Sequence, residues 1–577
     1  MVISLFRAFL RPYARQAWIV VALLAAQSAG NLYLPSLTGD IINNGVVTGN
    51  TGYIWRTGGL MIGIAVAMGI AGVAVVSGGA RVSMAVGADM RAAVFRRVQA
   101  FSARELSRFG IPSLITRNVN DVQQVQLFLQ MALTLLITAC LSTVGGVVMA
   151  VREGATLSLL LVVAVPVLTV VIGAMVFAVV PVFRSVQARI DRINQVLREQ
   201  VTGVRVIRAF GRTVAEHARF SRANADLTRV ALRGNRIFTV IGPVLLLVLS
   251  LSSVSAIWFG SRFVGNGSMP IGNLIAFLTY ILLILFNVLV TVVIIAQAPR
   301  AMASAERIDE VIRTVPASTD PPHPVSPDRI TGAVEFRHVS FGYPGTERPV
   351  ISDLTFVLRP GSHSAIIGGT GSGKTTLLHL IARFLVATSG AVLVNETDVR
   401  EQAAEQLWSA IGLVPQETFL FRGTVASNLR FASPDATDEQ LWHALDMAQA
   451  LDFVASMPGQ LDAPIDQGGS NVSGGQRQRL CIARALVRRP RLYLFDDCFS
   501  ALDAPTASRL RRALRAEAAD ATVVTAAQQV AAIREADQII VLDGGRVAGI
   551  GTHHELLGGC PVYQEIAASQ LTEGAVA

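Results

Sequence analysis

Gly368-Gly369-Thr370-Gly371-Ser372-Gly373-Lys374-Thr375 fits the phosphate-loop pattern G-x-x-x-x-G-K-[ST]. The chain has 49 Lys and Arg residues, and Lys374 is its only lysine. Everywhere else positive charge is carried by arginine. A loop whose backbone N–H groups wrap a phosphate has room for a compact ammonium on a flexible stem, and little for a wide planar guanidinium. Just upstream, Ser364-Ala365-Ile366-Ile367 reads as a buried strand running into the loop, and Thr375 to Phe384 as the helix after it. Strand, glycine-rich loop and helix together specify an α/β fold that binds a nucleoside triphosphate.

Upstream of this domain the chain changes character. The whole protein is 52% hydrophobic and 15% charged, with mean hydropathy +0.50. That is too apolar for a soluble protein of this size. A membrane-spanning helix needs roughly 20 mostly apolar residues. Six stretches qualify, about 17–37, 58–79, 128–150, 156–180, 238–261 and 272–297, and none contains Arg, Lys, Asp or Glu. No such stretch recurs after about residue 300. Arg7, Arg11 and Arg15 precede an apolar run of full span length, so a cleavable signal peptide is not expected.

Arginine placement orients the spans. The second-to-third connection carries seven arginines, Arg81 to Arg117, and the fourth-to-fifth carries twelve, Arg184 to Arg236. The alternate connections carry one each, Arg56, Arg152 and Arg262. The arginine-rich side faces the cytosol, which puts both termini there. The net charge of +9 thereby reads as membrane topology, and no nucleic-acid partner is expected. Cys140, Cys481, Cys498 and Cys560 are scattered, so neither a disulfide framework nor a metal site is expected from them.

The two cytosolic connections run to about 50 residues each and are rich in helix formers. They read as pairs of long helices projecting beyond the bilayer, broken near Phe109-Gly110-Ile111-Pro112 and Phe210-Gly211-Arg212. Pro316, Pro321, Pro322, Pro324 and Pro327 mark 314–332 as a linker. The organisation expected is a membrane domain over 1–313, that linker, and a nucleotide-binding domain over 333–577. The latter opens on the alternating strand Val334-Glu335-Phe336-Arg337-His338-Val339.

Leu492-Tyr493-Leu494-Phe495-Asp496 is an apolar strand ending in a carboxylate, suited to hold Mg²⁺ through water. Between it and the phosphate loop lies Asn471-Val472-Ser473-Gly474-Gly475-Gln476-Arg477-Gln478-Arg479. With this segment the chain resembles the ATP-binding cassette (ABC) transporters. Ser473-Gly474-Gly475-Gln476 resembles their signature motif, with Val472 where leucine is usual. Gln416, in Val414-Pro415-Gln416-Glu417, matches the Q-loop. Tyr343, in Phe341-Gly342-Tyr343-Pro344, matches the aromatic that stacks on adenine. Ser500-Ala501-Leu502-Asp503 matches the D-loop. Leu114–Val122 and Val204–Phe210 resemble the sequences flanking the family's coupling helices. The resemblance covers the whole chain, six spans and one cassette, as in half-transporters of the exporter type.

The resemblance implies a fold, a site and partners. The fold is a six-span α-helical transmembrane domain followed by an α/β P-loop nucleotide-binding domain. ATP would be held by Tyr343, by Gly368, Gly369, Thr370, Gly371, Ser372, Gly373, Lys374, Thr375 and Thr376, and by Gln416. Mg²⁺ would be held by Thr375, Gln416 and Asp496. Ser473, Gly474, Gly475 and Gln476 would close on ATP held by a second half-transporter, since a chain with one cassette must dimerise. The setting is a bacterial plasma membrane, crossed several times, with the cassette cytosolic.

Two positions depart from the family pattern. Asp497 follows Asp496 where the family has a glutamate that polarises the attacking water. Its carboxylate is retracted by about 1.5 Å, and a misplacement of that size can cost about 10²-fold. Gln528 stands where the family has its switch histidine, and no histidine occurs between His443 and His553. Asp497, Gln528 and Gln416 are the candidate catalytic residues. With two of them substituted, this site resembles the degenerate half of bacterial heterodimeric ABC exporters. Polar groups in the spans, such as Gln27, Asn31, Asn287 and Gln297, serve either as interhelical hydrogen-bonding groups or as cavity lining. A small amphipathic or hydrophobic cargo is expected. The alternatives are an importer of metal chelates on the same fold and a regulatory or channel-like subunit.

Overall fold

A computed structural model of the chain describes residues 2–574 except 328, 344, 347 and 519. Two compact units emerge, one of 1–99 with 111–314 and one of 100–110 with 315–577.

The first unit is built of long helices. Five helical stretches are long and apolar enough to cross a membrane among the described residues. They are α1 (Leu5–Val46), α2 (Thr51–Gln99), α4 (Ile111–Glu153), Gly242–Gly265 within α7, and α8 (Ile271–Arg313). The expected sixth span falls on α5 (Leu159–Thr202), whose portion Leu159–Met175 is apolar. α7 as a whole covers Thr213–Gly265. Ile62, Val66, Ile70 and Val73 of α2 are all more than half exposed. They recur every three or four residues, so they form one face of the helix. A contiguous exposed apolar face of this kind suits lipid or a partner protein rather than water.

The core of this unit sits on α8. Phe277, Tyr280, Ile281, Ile284 and Leu285 are fully buried, and they pack with Leu161 and Leu168 of α5 and with Ala256 of α7. The Tyr280 hydroxyl donates to the Leu32 carbonyl at 2.5 Å. Asn287, expected as glue or lining, donates to Leu283 O on its own helix. Lower on α8, Arg307 grips Asp121 with two nitrogens, at 2.7 and 2.5 Å, and Ser304 donates to the same carboxylate at 3.0 Å. Asp121 is only 3% exposed, and this planar fork fixes α4 against α8.

Each long connection ends in a short helix between two breaks. α3 (Ala103–Phe109) follows Gln99 and ends at Gly110, whose φ is +74°. α6 (Val204–Ala209) ends before Gly211, whose φ is +63°. Positive φ is cheap only for glycine, so the two breaks expected from the sequence are helix C-termini. Residues 100–110, containing α3, group with the second unit.

That second unit is two-sheeted. Strands β1 (Val334–Phe341), β2 (Ile351–Leu358) and β4 (Ser389–Val394) form an antiparallel sheet in the order β2-β1-β4, extended by Thr397–Asp398. The larger sheet has six strands. They are β3 (His363–Gly368), β5 (Ile411–Val414), β6 (Leu492–Asp496), β7 (Thr522–Ala527), β8 (Gln538–Asp543) and β9 (Arg546–Gly551), in the order β9-β8-β3-β7-β6-β5. All neighbours are parallel except β8 and β9. Every residue of β6 and all but the first of β3 are buried, as strands covered on both faces must be. Their registers place Asp496 and Ile366 beside Ala526. The residues that follow β3, β6 and β7 therefore emerge at one carboxyl edge, where parallel α/β sheets bind ligands.

The proline-rich 314–332 segment is tied down. Arg383 is 3% exposed and donates to Ser318 Oγ, Thr319 O, Asp320 Oδ1 and Gln402 O at 2.6–3.1 Å. Val325 N donates to Glu401 O, and Thr331 N and Gly332 N to Asn395 Oδ1. The expected linker lies as a strap along the α/β unit.

Candidate functional site

The helix after the glycine loop, α9 (Lys374–Ile381), is shorter than the Thr375–Phe384 reading, and Ala382–Phe384 form its closing turn. Its N-cap is Gly373 at φ +100°, a conformation that side chains rarely adopt. The Lys374 Nζ folds back and donates to Gly368 O and Gly369 O, each at 2.9 Å. Burial pulls the Lys374 ammonium below its ordinary range, opposed by Asp497 and Asp496. Ser372 Oγ is buried without a partner in the loop. A Cβ on Gly369 or Gly371 would meet nothing within 4 Å. The loop is an open cradle with a cation and an unused hydroxyl at its base, and α9 points its N-terminus into it. That donor set fits a polyphosphate.

Thr375 Oγ1 donates to Asp496 Oδ1 at 3.1 Å. Asp496 is 4% exposed, and burial raises its carboxyl above the usual range. Two oxygen donors, one anionic, suit a hydrated Mg²⁺. Gln416, the third expected metal contact, is exposed on the loop after β5 and makes no side-chain hydrogen bond among the described residues. The structure brings Thr375 and Asp496 together and leaves Gln416 apart. Tyr343 is 42% exposed, lies edge-on to Phe341 at 5.0 Å, and has its hydroxyl 3.4 Å from Thr376 Oγ1. Its neighbour Pro344 lies outside the described residues.

The two departures from the family pattern touch each other. Gln528, directly after β7, donates from Nε2 to Asp497 Oδ2 at 3.2 Å. Asp497 has φ +48°, strained for a residue with a Cβ. It is held there by its own N–H on Ala526 O at 2.9 Å and by Ser500 Oγ donating to its carbonyl at 2.8 Å. Burial, then the charge of Asp496, raises the Asp497 carboxyl. The sequence reading missed Ser500 in this supporting role.

Ser473 is the N-cap of α10 (Gly474–Val487) in a full capping box with Gln476. Ser473 N donates to Gln476 Oε1 at 2.9 Å, and Gln476 N to Ser473 Oγ at 3.2 Å. Asn471, which the sequence reading left without a role, brackets the loop by accepting from Asp466 N and donating to Pro464 O. Arg477 Nη1 donates to Gly468 O at 2.9 Å. At Gly474 a Cβ would meet nothing within 4 Å, so nothing in this chain demands glycine there. Asp503 of the D-loop caps α11 (Ala504–Glu517) through Thr506 N at 3.1 Å.

Comparison with known proteins agrees with this geometry. The ABC transporter transmembrane region family matches residues 17–289, and the ABC transporter family, describing the ATP-binding part, matches residues 351–500. An uncharacterized ABC transporter ATP-binding protein of Mycobacterium tuberculosis is 44% identical over 574 residues, 99% of this chain and 98% of its own length. A fatty acid ABC transporter ATP-binding/permease protein of Mycobacterium bovis is 33% identical over 78% of this chain and 71% of its own. Among solved structures, a bacterial Atm1-family ABC exporter with ATP bound superposes with TM-score 0.79 at 23% identity, over 98% of this chain and 99% of that one. The chain belongs to the ABC transporter family. It is a membrane-embedded, ATP-hydrolysing transporter with the half-transporter architecture of the exporter fold.

Proposed function

We propose that this chain is the degenerate half of a heterodimeric exporter in a bacterial plasma membrane, moving a small amphipathic or hydrophobic cargo. The observation that carries the reading is the Asp497–Gln528 contact, which joins the two residues that depart from the family pattern. An aspartate tied to a glutamine amide has both a short reach and an occupied oxygen. The glutamine is a neutral donor and never an imidazolium. Such a pair binds and orients ATP but polarises an attacking water poorly.

The remaining residues keep their family roles in this proposal. Gly368–Thr376 hold the phosphates and Tyr343 supports the adenine. Thr375 and Asp496, with Gln416 once it closes in, hold Mg²⁺, which when bound neutralises phosphate charge. Ser473–Gln476 complete the partner's ATP site. The domains are 1–313, 314–332 and 333–577, with the termini and the cassette cytosolic. The uncharged spans, and the relative named as a fatty acid transporter, support an amphipathic cargo.

Expressed alone, the chain is expected to show little steady-state ATPase activity, and co-expression with its partner to raise it at least about tenfold, given the roughly 10²-fold cost of a misplaced catalytic group. Robust hydrolysis by a purified homodimer would sink the heterodimer reading. In the assembled complex, single-turnover counting is expected to find one ATP hydrolysed quickly and one retained. Asp497→Glu with Gln528→His restores reach and a protonatable donor, and is expected to speed release of the retained phosphate without abolishing transport. Two ATP molecules consumed at equal rates in the unmodified complex would contradict the assignment.

A further inference from the structure

Behind the catalytic edge lies a cavity of about 50 Å³, walled by the start of β3, the D-loop helix α11, β7 and the segment following Gln528. Its polar lining is unusual. Arg511, of intermediate exposure, has no ion pair or hydrogen bond among the described residues. His363 Nε2 is buried there without a partner. Thr525 also lines the wall, and its hydroxyl makes no hydrogen bond among the described residues. Arg515 is engaged by the Glu535 carbonyl and lies 3.7 Å from Asp537. The one carboxylate on the lining, Glu535, is exposed and is not within ion-pair distance of Arg511.

The exposed Glu535 carboxylate favours the Arg511 charge without forming an ion pair, and Arg534 opposes it, which leaves the partly buried guanidinium undercompensated. An orphaned buried donor in a native fold calls for a water or an ion. The cavity volume exceeds the 10–15 Å³ or so that one water needs. It is far below the roughly 300 Å³ of a small-molecule pocket, so a nucleotide is too large. Burial also depresses His363, leaving a neutral imidazole that can present an Nε2 hydrogen.

We infer that this cavity binds a small inorganic oxyanion of the phosphate type, held by Arg511, His363 Nε2 and Thr525. The site has a mechanical consequence. Phe499 on its wall is two residues past Asp497, and Ala532 is four past Gln528. Arg511 lies on the helix that Asp503 caps. A bound anion therefore ties the D-loop helix to the segment that carries Gln528. This inference does not depend on the degenerate-site reading, and its test is a binding measurement.

The probe is inorganic phosphate, titrated into the full-length chain in nanodiscs. Saturating Mg-ADP occupies the glycine loop, and sodium chloride holds the ionic strength constant. The expected result is a rise in melting temperature that grows with the logarithm of phosphate concentration above Kd, about 5 °C at 100 times Kd. Arg511→Gln is expected to abolish it. So is Ala536→Leu, which fills the cavity from an apolar wall and leaves Arg511 in place, so a folding failure of the first variant does not leave the matter open. Arg512→Gln, at the exposed neighbouring position, is expected to retain it. No rise in the unmodified chain, an equal rise with chloride alone, or an undiminished rise in Ala536→Leu would each show an adventitious ion only and overturn the proposal.

Discussion

Gly474→Asp is expected to lower the maximal ATPase rate of the assembled complex by two to three orders of magnitude, while the chain folds normally. The two halves of this expectation have separate physical causes. Within the chain, Gly474 is the first residue of α10, and a Cβ there meets nothing within 4 Å. A negative charge at a helix N-terminus is mildly stabilising, and the Ser473–Gln476 capping box is untouched. Melting temperature and assembly are therefore unchanged. The damage falls on the partner's ATP, whose γ-phosphate the proposed arrangement brings against this backbone. A carboxylate about 4 Å from a phosphate charge costs about 4 kcal/mol at an effective dielectric near 20, which is about 10³-fold in rate. Lys374→Ala acts on the other ATP. It removes the ammonium that now bridges Gly368 O and Gly369 O. It is expected to weaken nucleotide binding and slow the cycle by far less, because the site it damages hydrolyses little. The measurement is the maximal rate of both variants at saturating ATP. If Lys374→Ala is as inactive as Gly474→Asp, the Asp497 site is a full catalytic centre and the asymmetry is wrong.

The chemistry of the site was legible because it is written in contiguous runs. A phosphate loop is eight consecutive residues whose glycines and lysine have one purpose, and β6 announces itself by five apolar residues ending in Asp496. The placement of Gln528 rests on alignment to a motif, and the structure puts its amide on Asp497 Oδ2. The spans were legible because lipid imposes composition over their whole length. What escaped was long-range. Arg383 was one arginine among 48, since sequence does not say which of them is buried, and its partners lie 19 to 65 residues away. The strain at Asp497 was equally hidden, because a positive φ on a residue with a Cβ is imposed by Ala526 and Ser500 and leaves no local signature. Gln416 shows the reverse: its motif is local, and its side chain is exposed with no hydrogen bond among the described residues.

The second large effect concerns the strap. Proline content alone describes 314–332 as a stiff but independent spacer. Arg383 changes that. Its guanidinium is 2% exposed and reaches in three directions, to Ser318, to Thr319 and Asp320, and to Gln402 O. Asp320 in turn accepts from Ala404 N at 3.0 Å. Replacing Arg383 by Ala leaves the buried Gln402 carbonyl without a donor, which costs about 1–3 kcal/mol, and takes a donor from the carbonyl of the exposed Thr319. Asp320 is half exposed, so its lost ion pair adds less than a fully buried one would. The total is about 3 kcal/mol, and for a unit of this size that corresponds to about 6–12 °C in melting temperature. Lysine is not expected to rescue it, because a point charge on a flexible stem cannot span three acceptors held in a planar fork. Trp408 supplies the probe. Its indole donates to Ala382 O at 2.8 Å, beside Arg383, so its fluorescence follows unfolding at that point. A change below about 2 °C, which is under 1 kcal/mol, would show that the strap is not held by this arginine. The expected loss would show that Arg383 anchors the segment after α8 to the α/β unit at Ser318–Asp320.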